Sequence, residues 1–163
     1  LSFIRERVAQ RIATITKRHD IIDAVVNSNT SSVPEQLKAA KVLSAVSESE
    51  EFKGITEALN RVINISAKAQ DDASGEILED RLETASERTL VKAIKELHSK
   101  VQTLTPEELY SHLEALAPKI NDFFNENMVM VDDEAVRRNR LRFLGLLSQI
   151  ILDFADFTSL IVK

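Results

Sequence analysis

Apolar residues recur along this chain at helical spacing. Ile4, Val8, Ile12 and Ile15 form one stripe, three or four residues apart, which predicts an amphipathic first helix. A short second element is predicted from Asp20 to Val26. The polar run Asn27-Ser28-Asn29-Thr30-Ser31-Ser32 then reads as a loop. Pro34 sits where a first-turn proline belongs, and Leu37, Ala40, Val42, Leu43 and Val46 continue as a third helix. Ile55, Leu59, Val62 and Ile63 mark a fourth helix over 50–69, and Leu90, Val91, Ile94 and Leu97 mark a fifth over 84–101. Thr105-Pro106-Glu107-Glu108 is a helix start, with a threonine cap, proline at the first position and acids in the first turn. Pro118 is expected to open a separate turn or short helix that carries Phe123 and Phe124. Asp132-Asp133 is expected to cap a long last helix through about Phe157. Val136, Phe143, Leu144, Leu147, Ile150, Ile151 and Phe154 cover so wide an arc of that helix that it belongs at the centre of a bundle.

The expected fold is therefore an all-α, single-domain bundle of about six to eight helices. The length of 163 residues suits one core, and 3 Gly, 3 Pro and no cysteine leave no room for a turn-rich β-sandwich, a glycine-rich phosphate loop, disulfides or thiolate metal sites. The absence of cysteine fits a reducing compartment. No run of about 18 apolar residues offers a membrane span. The chain opens at Leu1 inside an amphipathic segment, which we read as a piece of a longer protein or a processed chain. Residues 70–83 interrupt the helical pattern with Asp71, Asp72, Glu76, Glu79, Asp80 and Glu83, an acidic connector.

Candidate chemistry is sparse. The histidines are His19, His98 and His112. His19-Asp20 is half of a metal-binding pair, but no further ligands accompany it at metal spacing. The simpler reading is a corner between helices, with Asp20 as the cap of the second element and His19 near a helix C-terminus. Asp71-Asp72, Glu107-Glu108 and Asp132-Asp133 all fall where loops or helix starts favour acids. No nucleophile triad, Walker motif or dinucleotide fingerprint occurs. No catalytic and no metal-binding residues are assigned, and the chain is read as one that binds rather than catalyses.

The formal net charge of -5 hides three basic patches. Arg7, Arg11 and Arg18 fall together on a helical wheel of the first segment. Lys53, Arg61, Asn64 and Lys68 share the face of the fourth helix opposite its apolar stripe. Arg137, Arg138, Arg140 and Arg142 crowd the start of the last helix. Surface pairing with the many acids accounts for such patches as readily as a polyanionic partner does.

Three stretches in order carry a resemblance. The first is Phe3-Ile4-Arg5-Glu6-Arg7-Val8 followed by Arg18-His19-Asp20-Ile21-Ile22-Asp23-Ala24-Val25. The second is Ala58-Leu59-Asn60-Arg61-Val62-Ile63-Asn64-Ile65. The third runs from Phe123-Phe124 through Val129-Met130-Val131-Asp132-Asp133 and Arg137-Arg138-Asn139-Arg140-Leu141 to Leu144 and Ala155-Asp156-Phe157. Together they resemble the C-terminal anticodon-binding domain of bacterial glycyl-tRNA synthetase β subunits, a DALR-type helical domain. The family's four letters read Glu134-Ala135-Val136-Arg137 here, which argues against treating Glu134 as a functional carboxylate.

The resemblance implies a cytoplasmic aminoacyl-tRNA synthetase in which a catalytic α subunit and a longer β subunit join glycine to its tRNA with ATP and magnesium. This chain would hold no cofactor itself. It would touch the anticodon stem–loop of tRNA(Gly), whose anticodon ends in two cytosines, and would dock on the rest of its β subunit. The family is read here as one that binds RNA in an unpaired loop, where splayed bases offer their Watson–Crick edges. Arginine can serve the acceptors of cytosine, and an asparagine amide can serve donor and acceptors. Arg61, Asn64 and Lys68 make the recognition face, with Lys53 beside them. Arg138 and Arg142 are expected to face solvent and hold phosphates, as Arg7, Arg11 and Arg18 could. Arg137 and Arg140 are expected to be buried against acids. Phe52, Tyr110, Phe123 and Phe124 are the main aromatic candidates for base stacking, with core packing as the simpler role. The alternative function is a non-catalytic helical protein–protein interaction module.

Overall fold

The computed structural model describes residues 2–30, 32–68 and 75–162. Among these residues it is all-helical, with seven α-helices and no strand: α1 (Ser2–Ile12), α2 (His19–Val26), α3 (Val33–Val46), α4 (Phe52–Lys68), α5 (Ala85–Lys100), α6 (Pro106–Glu126) and α7 (Glu134–Phe154). Single 3-10 turns lie at Glu79–Arg81, Val101–Thr103 and Phe157–Ser159.

Local chemistry explains the starts. Thr84 and Thr105 each form a capping box, accepting from the N–H of Glu87 and Glu108, whose carboxylates accept from the cap residue in return. Asp133 caps α7 by accepting from the N–H of Ala135 at 3.0 Å and Val136 at 3.3 Å. Ser32 caps α3, with proline in its first turn.

α7 packs against α4, α5 and α6, α5 lies on α6, and α3 also packs on α6. α1 packs on α2 and α3. Leu113, Ile120, Phe143, Leu144, Leu147 and Ile151 are fully buried at the centre. Phe123 packs edge-on against Phe143, with ring centroids 5.4 Å apart. The far end of α7 is sewn to α2: Asp156 N–H donates to the Ala24 carbonyl and Asn29 N–H to that of Leu152, both at 2.8 Å.

Several sequence expectations need correction. Pro118 opens no new element but lies inside α6, which runs on to Glu126. Its exposed position lets the Glu114 carbonyl, deprived of its usual donor, reach water. Pro118→Ala should therefore stabilise the domain by up to about 3 kcal/mol, the helix-interior penalty of proline relative to alanine, read as a higher urea midpoint at unchanged m.

α1 ends at Ile12, so the wheel that joined Arg18 to Arg7 and Arg11 does not apply. His19 is the first residue of α2 rather than the end of a helix, and Asp20 does not cap it. Asp20 instead pairs in bidentate fashion with Arg18, at 3.0 and 2.6 Å, and accepts from Ile161 N–H at 2.9 Å. Burial pushes the Asp20 carboxyl up, but Arg18 and the N–H groups of Ile161 and Ile21 outweigh it and hold the group below the ordinary range. α7 stops at Phe154, and Phe157 begins the closing 3-10 turn. Residues 70–74 of the acidic connector lie outside the described residues. The rest of it is irregular apart from the turn at Glu79–Arg81.

Candidate nucleic-acid interface

The outer face of α4 follows from its two-sidedness. Phe52, Ile55, Ala58, Leu59, Val62, Ile63 and Ser66 are buried, so the opposite positions must face outward. Lys53, Arg61, Asn64 and Lys68 are all exposed there. Lys53 and Lys68 are about 22 Å apart along the axis at 1.5 Å per residue. Glu57 lies on the same face and is also exposed, so the strip carries three cations and one anion.

Arg61 is the best oriented of these side chains. Its guanidinium carbon lies 4.1 Å from the centroid of the Phe124 ring. That cation–π contact places a planar cation over an aromatic face. Phe124 is itself buried in α6 and packs edge-on to Phe123, centroids 5.1 Å apart. Asn64 projects to solvent rather than into a helix contact.

The other basic residues are spread more widely. Lys53 and Arg18 line one recess at the start of α4, but Arg18 is occupied by Asp20 and the Ile161 carbonyl. Arg142 is half-buried rather than solvent-facing. It donates to the Glu76 carbonyl at 3.3 Å and lies against Gly75, whose φ of 110° favours glycine. It lines a groove of about 780 Å³ with Ser66 and Ala67 of α4 and Lys95 and His98 of α5. Arg138 is exposed and pairs with Glu134 at 2.6 Å. Arg7 and Arg11 are exposed on α1, Arg7 over the Phe3 ring at 4.5 Å. The structure thus gathers Lys53, Arg61, Asn64 and Lys68 on one face and sets the remaining cations around it on other elements.

The Arg-x-Asn-Arg run of α7 has a different task. Arg140, only 3% exposed, makes a bidentate pair with the fully buried Glu87, at 3.1 and 3.0 Å. It also reaches Glu83 at 3.2 Å, Asn127 Oδ1 at 3.3 Å and the Met128 carbonyl. Asn139 accepts from Leu78 N–H at 2.7 Å and donates to the Leu78 carbonyl at 2.9 Å. Arg137 donates to the Val131 carbonyl at 3.1 Å. One turn of helix therefore staples the end of the acidic connector, the cap of α5 and the loop between α6 and α7. Burial against acids was expected for Arg137 and Arg140; Arg140 is so buried, and Arg137 is half-buried on the Val131 carbonyl. The role of Asn139 was missed, although it stands as the sixth residue of α7 within the Arg137-Arg138-Asn139-Arg140-Leu141 stretch.

Of the aromatic candidates, Phe52, Tyr110 and Phe123 are buried in the core. Burial pushes the Tyr110 hydroxyl up to about 12. Among the described residues no cluster of three or more His, Cys, Asp or Glu side chains has metal-binding geometry.

The model of the DALR anticodon binding domain matches residues 55–156, which include most of α4 and all of α5, α6 and α7. The chain belongs to the DALR anticodon binding domain family. The matched part of the DALR domain contains the central helix, the polar staple and all but the first turn of the α4 face. The chain is also 37% identical over 162 residues to a glycine–tRNA ligase β subunit of Lacticaseibacillus casei, covering 99% of this chain and 23% of the relative. It is 36% identical to that of Lactiplantibacillus plantarum, covering 99% and 24%. With that of Pediococcus pentosaceus it shares 33% identity, covering 100% and 24%. The chain spans about a quarter of the length of these curated relatives.

Proposed function

We propose that this chain is the tRNA-gripping part of a glycine–tRNA ligase β subunit, and that the outer face of α4 meets the anticodon stem–loop of tRNA(Gly). The observation that carries this is the exposed strip of Lys53, Arg61, Asn64 and Lys68 in a DALR domain, with Arg61 already seated over the Phe124 ring. Arg61 and Asn64 would meet base edges, and Lys53 and Lys68 would meet phosphates. Arg138, Arg142, Arg7 and Arg11 would add phosphate contacts at the margins, whereas Arg18 serves its Asp20 clamp first. Joining of glycine to tRNA with ATP and magnesium would be carried out by an α subunit, in the cytoplasm, with this chain as positioning surface. No helix among the described residues is long and apolar enough to cross a membrane.

A docking reading has its own observation. Phe3 and Ile4 of α1 are 62% and 60% exposed, an apolar pair suited to the remainder of the β subunit. The two readings concern different helices, α1 and α4, and are compatible.

Charge removals test the α4 face. In the assembled enzyme, Arg61→Ala should raise the KM for tRNA by about tenfold and leave glycine activation unchanged, since a good base contact is worth about 1–3 kcal/mol. Lys68→Ala should weaken all tRNAs alike and reduce the salt slope by roughly one. Glu57→Gln should act in the opposite sense and lower the KM by about two- to fivefold, as expected for removing one exposed like charge from a polyanion's path. Charging kinetics unmoved by all three, with the fold intact, would place the tRNA surface elsewhere.

A further inference from the structure

We infer that Phe124 is a positioning residue for RNA recognition: its ring holds the guanidinium of Arg61 flat, so that the outer side of that guanidinium is a stacking platform for one unpaired base. This rests on the proposed role of the α4 face. A phosphate contact needs only a charge at the end of a flexible arm. Arg61 is instead held 4.1 Å from a ring centroid, and that ring is fixed in turn by the edge of Phe123 and by burial. A guanidinium with one face on an aromatic ring retains its other face for stacking and its edge N–H groups for acceptors.

The surroundings also suit a base better than a phosphate. One turn beyond Phe124 the chain exposes Met128, 73% accessible, an apolar and adaptable side chain. The loop that presents it is held in place, because Arg140 takes the Met128 carbonyl and Arg137 that of Val131. A cation seated on a ring, with an exposed apolar side chain four residues beyond that ring in the chain, offers the kinds of surface on which single strands are held.

The test uses the assembled enzyme with full-length subunits and separates this inference from the broader one. Phe124→Leu should raise the KM for tRNA by about five- to hundredfold, the range for loss of one stacked base, at unchanged kcat and unchanged glycine-dependent pyrophosphate exchange. Phe124→Tyr should restore it. Arg61→Lys, a surface change that spares the fold, should fail like Phe124→Leu because it keeps the charge but loses the plane. A tRNA(Gly) with abasic anticodon positions should erase the difference between wild type and both variants. If Arg61→Ala raises the KM while Arg61→Lys and Phe124→Leu leave it at the wild-type value, Arg61 is a phosphate contact and the inference fails alone. If Arg61→Ala, Lys68→Ala and Glu57→Gln too have no effect, the α4 reading fails with it.

Discussion

Arg140→Met is expected to destabilise the domain by about 3–5 kcal/mol, seen as a large fall in the urea midpoint. The reason is less the loss of an ion pair than what remains. Glu87 is fully buried, and its carboxylate would keep the N–H groups of Glu83 and Thr84, at 3.0 and 3.2 Å, and the Thr84 hydroxyl at 3.5 Å, but no cation. The Met128 carbonyl and Asn127 Oδ1 would lose donors in the same step. Glu87→Gln in the Arg140→Met background should recover part of the loss, because a neutral amide no longer strands a charge. The same pair sets an acid limit. Burial pushes the Glu87 carboxyl up, but Arg140 and the two backbone donors more than offset this and hold it below the ordinary glutamate range. A carboxyl lowered on folding stabilises fully above its unfolded pKa of about 4.3 and loses that contribution as pH falls through its lower folded value. Asp20, lowered by Arg18 and the Ile161 N–H despite its burial, adds to the same acid transition. Arg140→Met should therefore flatten the fall of stability below about pH 4 as well as lower the plateau.

Leu147→Ala is expected to cost about 2–5 kcal/mol by the same denaturation measurement. Leu147 is fully buried on α7, the helix that α4, α5 and α6 all touch. Truncation there leaves a cavity walled by several elements, which cannot collapse by moving one of them. Leu146, one residue earlier, is only partly buried, and Leu146→Ala should cost clearly less. Equal losses at the two positions would argue against α7 as the central helix.

The α7 arc was legible because periodicity is a strong signal over 21 residues, and Asp133 capped it as expected. Thr105-Pro106 likewise reads the same in sequence and structure. Pro118 misled because a proline inside a helix looks locally like a boundary. Only the continuous packing of Leu113, Leu116, Ile120 and Phe123 on one side overrides it. Arg18 misled in another way: the wheel assumes an unbroken helix, and the turn after Ile12 resets the phase. The face of α4 could be read from its two-sided pattern. The pinning of Arg61 could not, since it joins residues 61 and 124 across two helices. Nor could the Asn139 and Arg140 staple, whose partners at 78 and 87 are far away in the chain. The helical wheel already turned Arg140 inward and Arg61 outward, and the fold supplies the partners, Glu87 for the one and Phe124 for the other.

The most direct measurement is a contact map from the α4 face itself. A photoreactive phenylalanine analogue placed at Asn64, in the assembled α and β subunits with bound tRNA(Gly), should cross-link to nucleotides of the anticodon loop. Cross-links confined to the acceptor stem, or to protein alone while tRNA is saturating, would contradict the account.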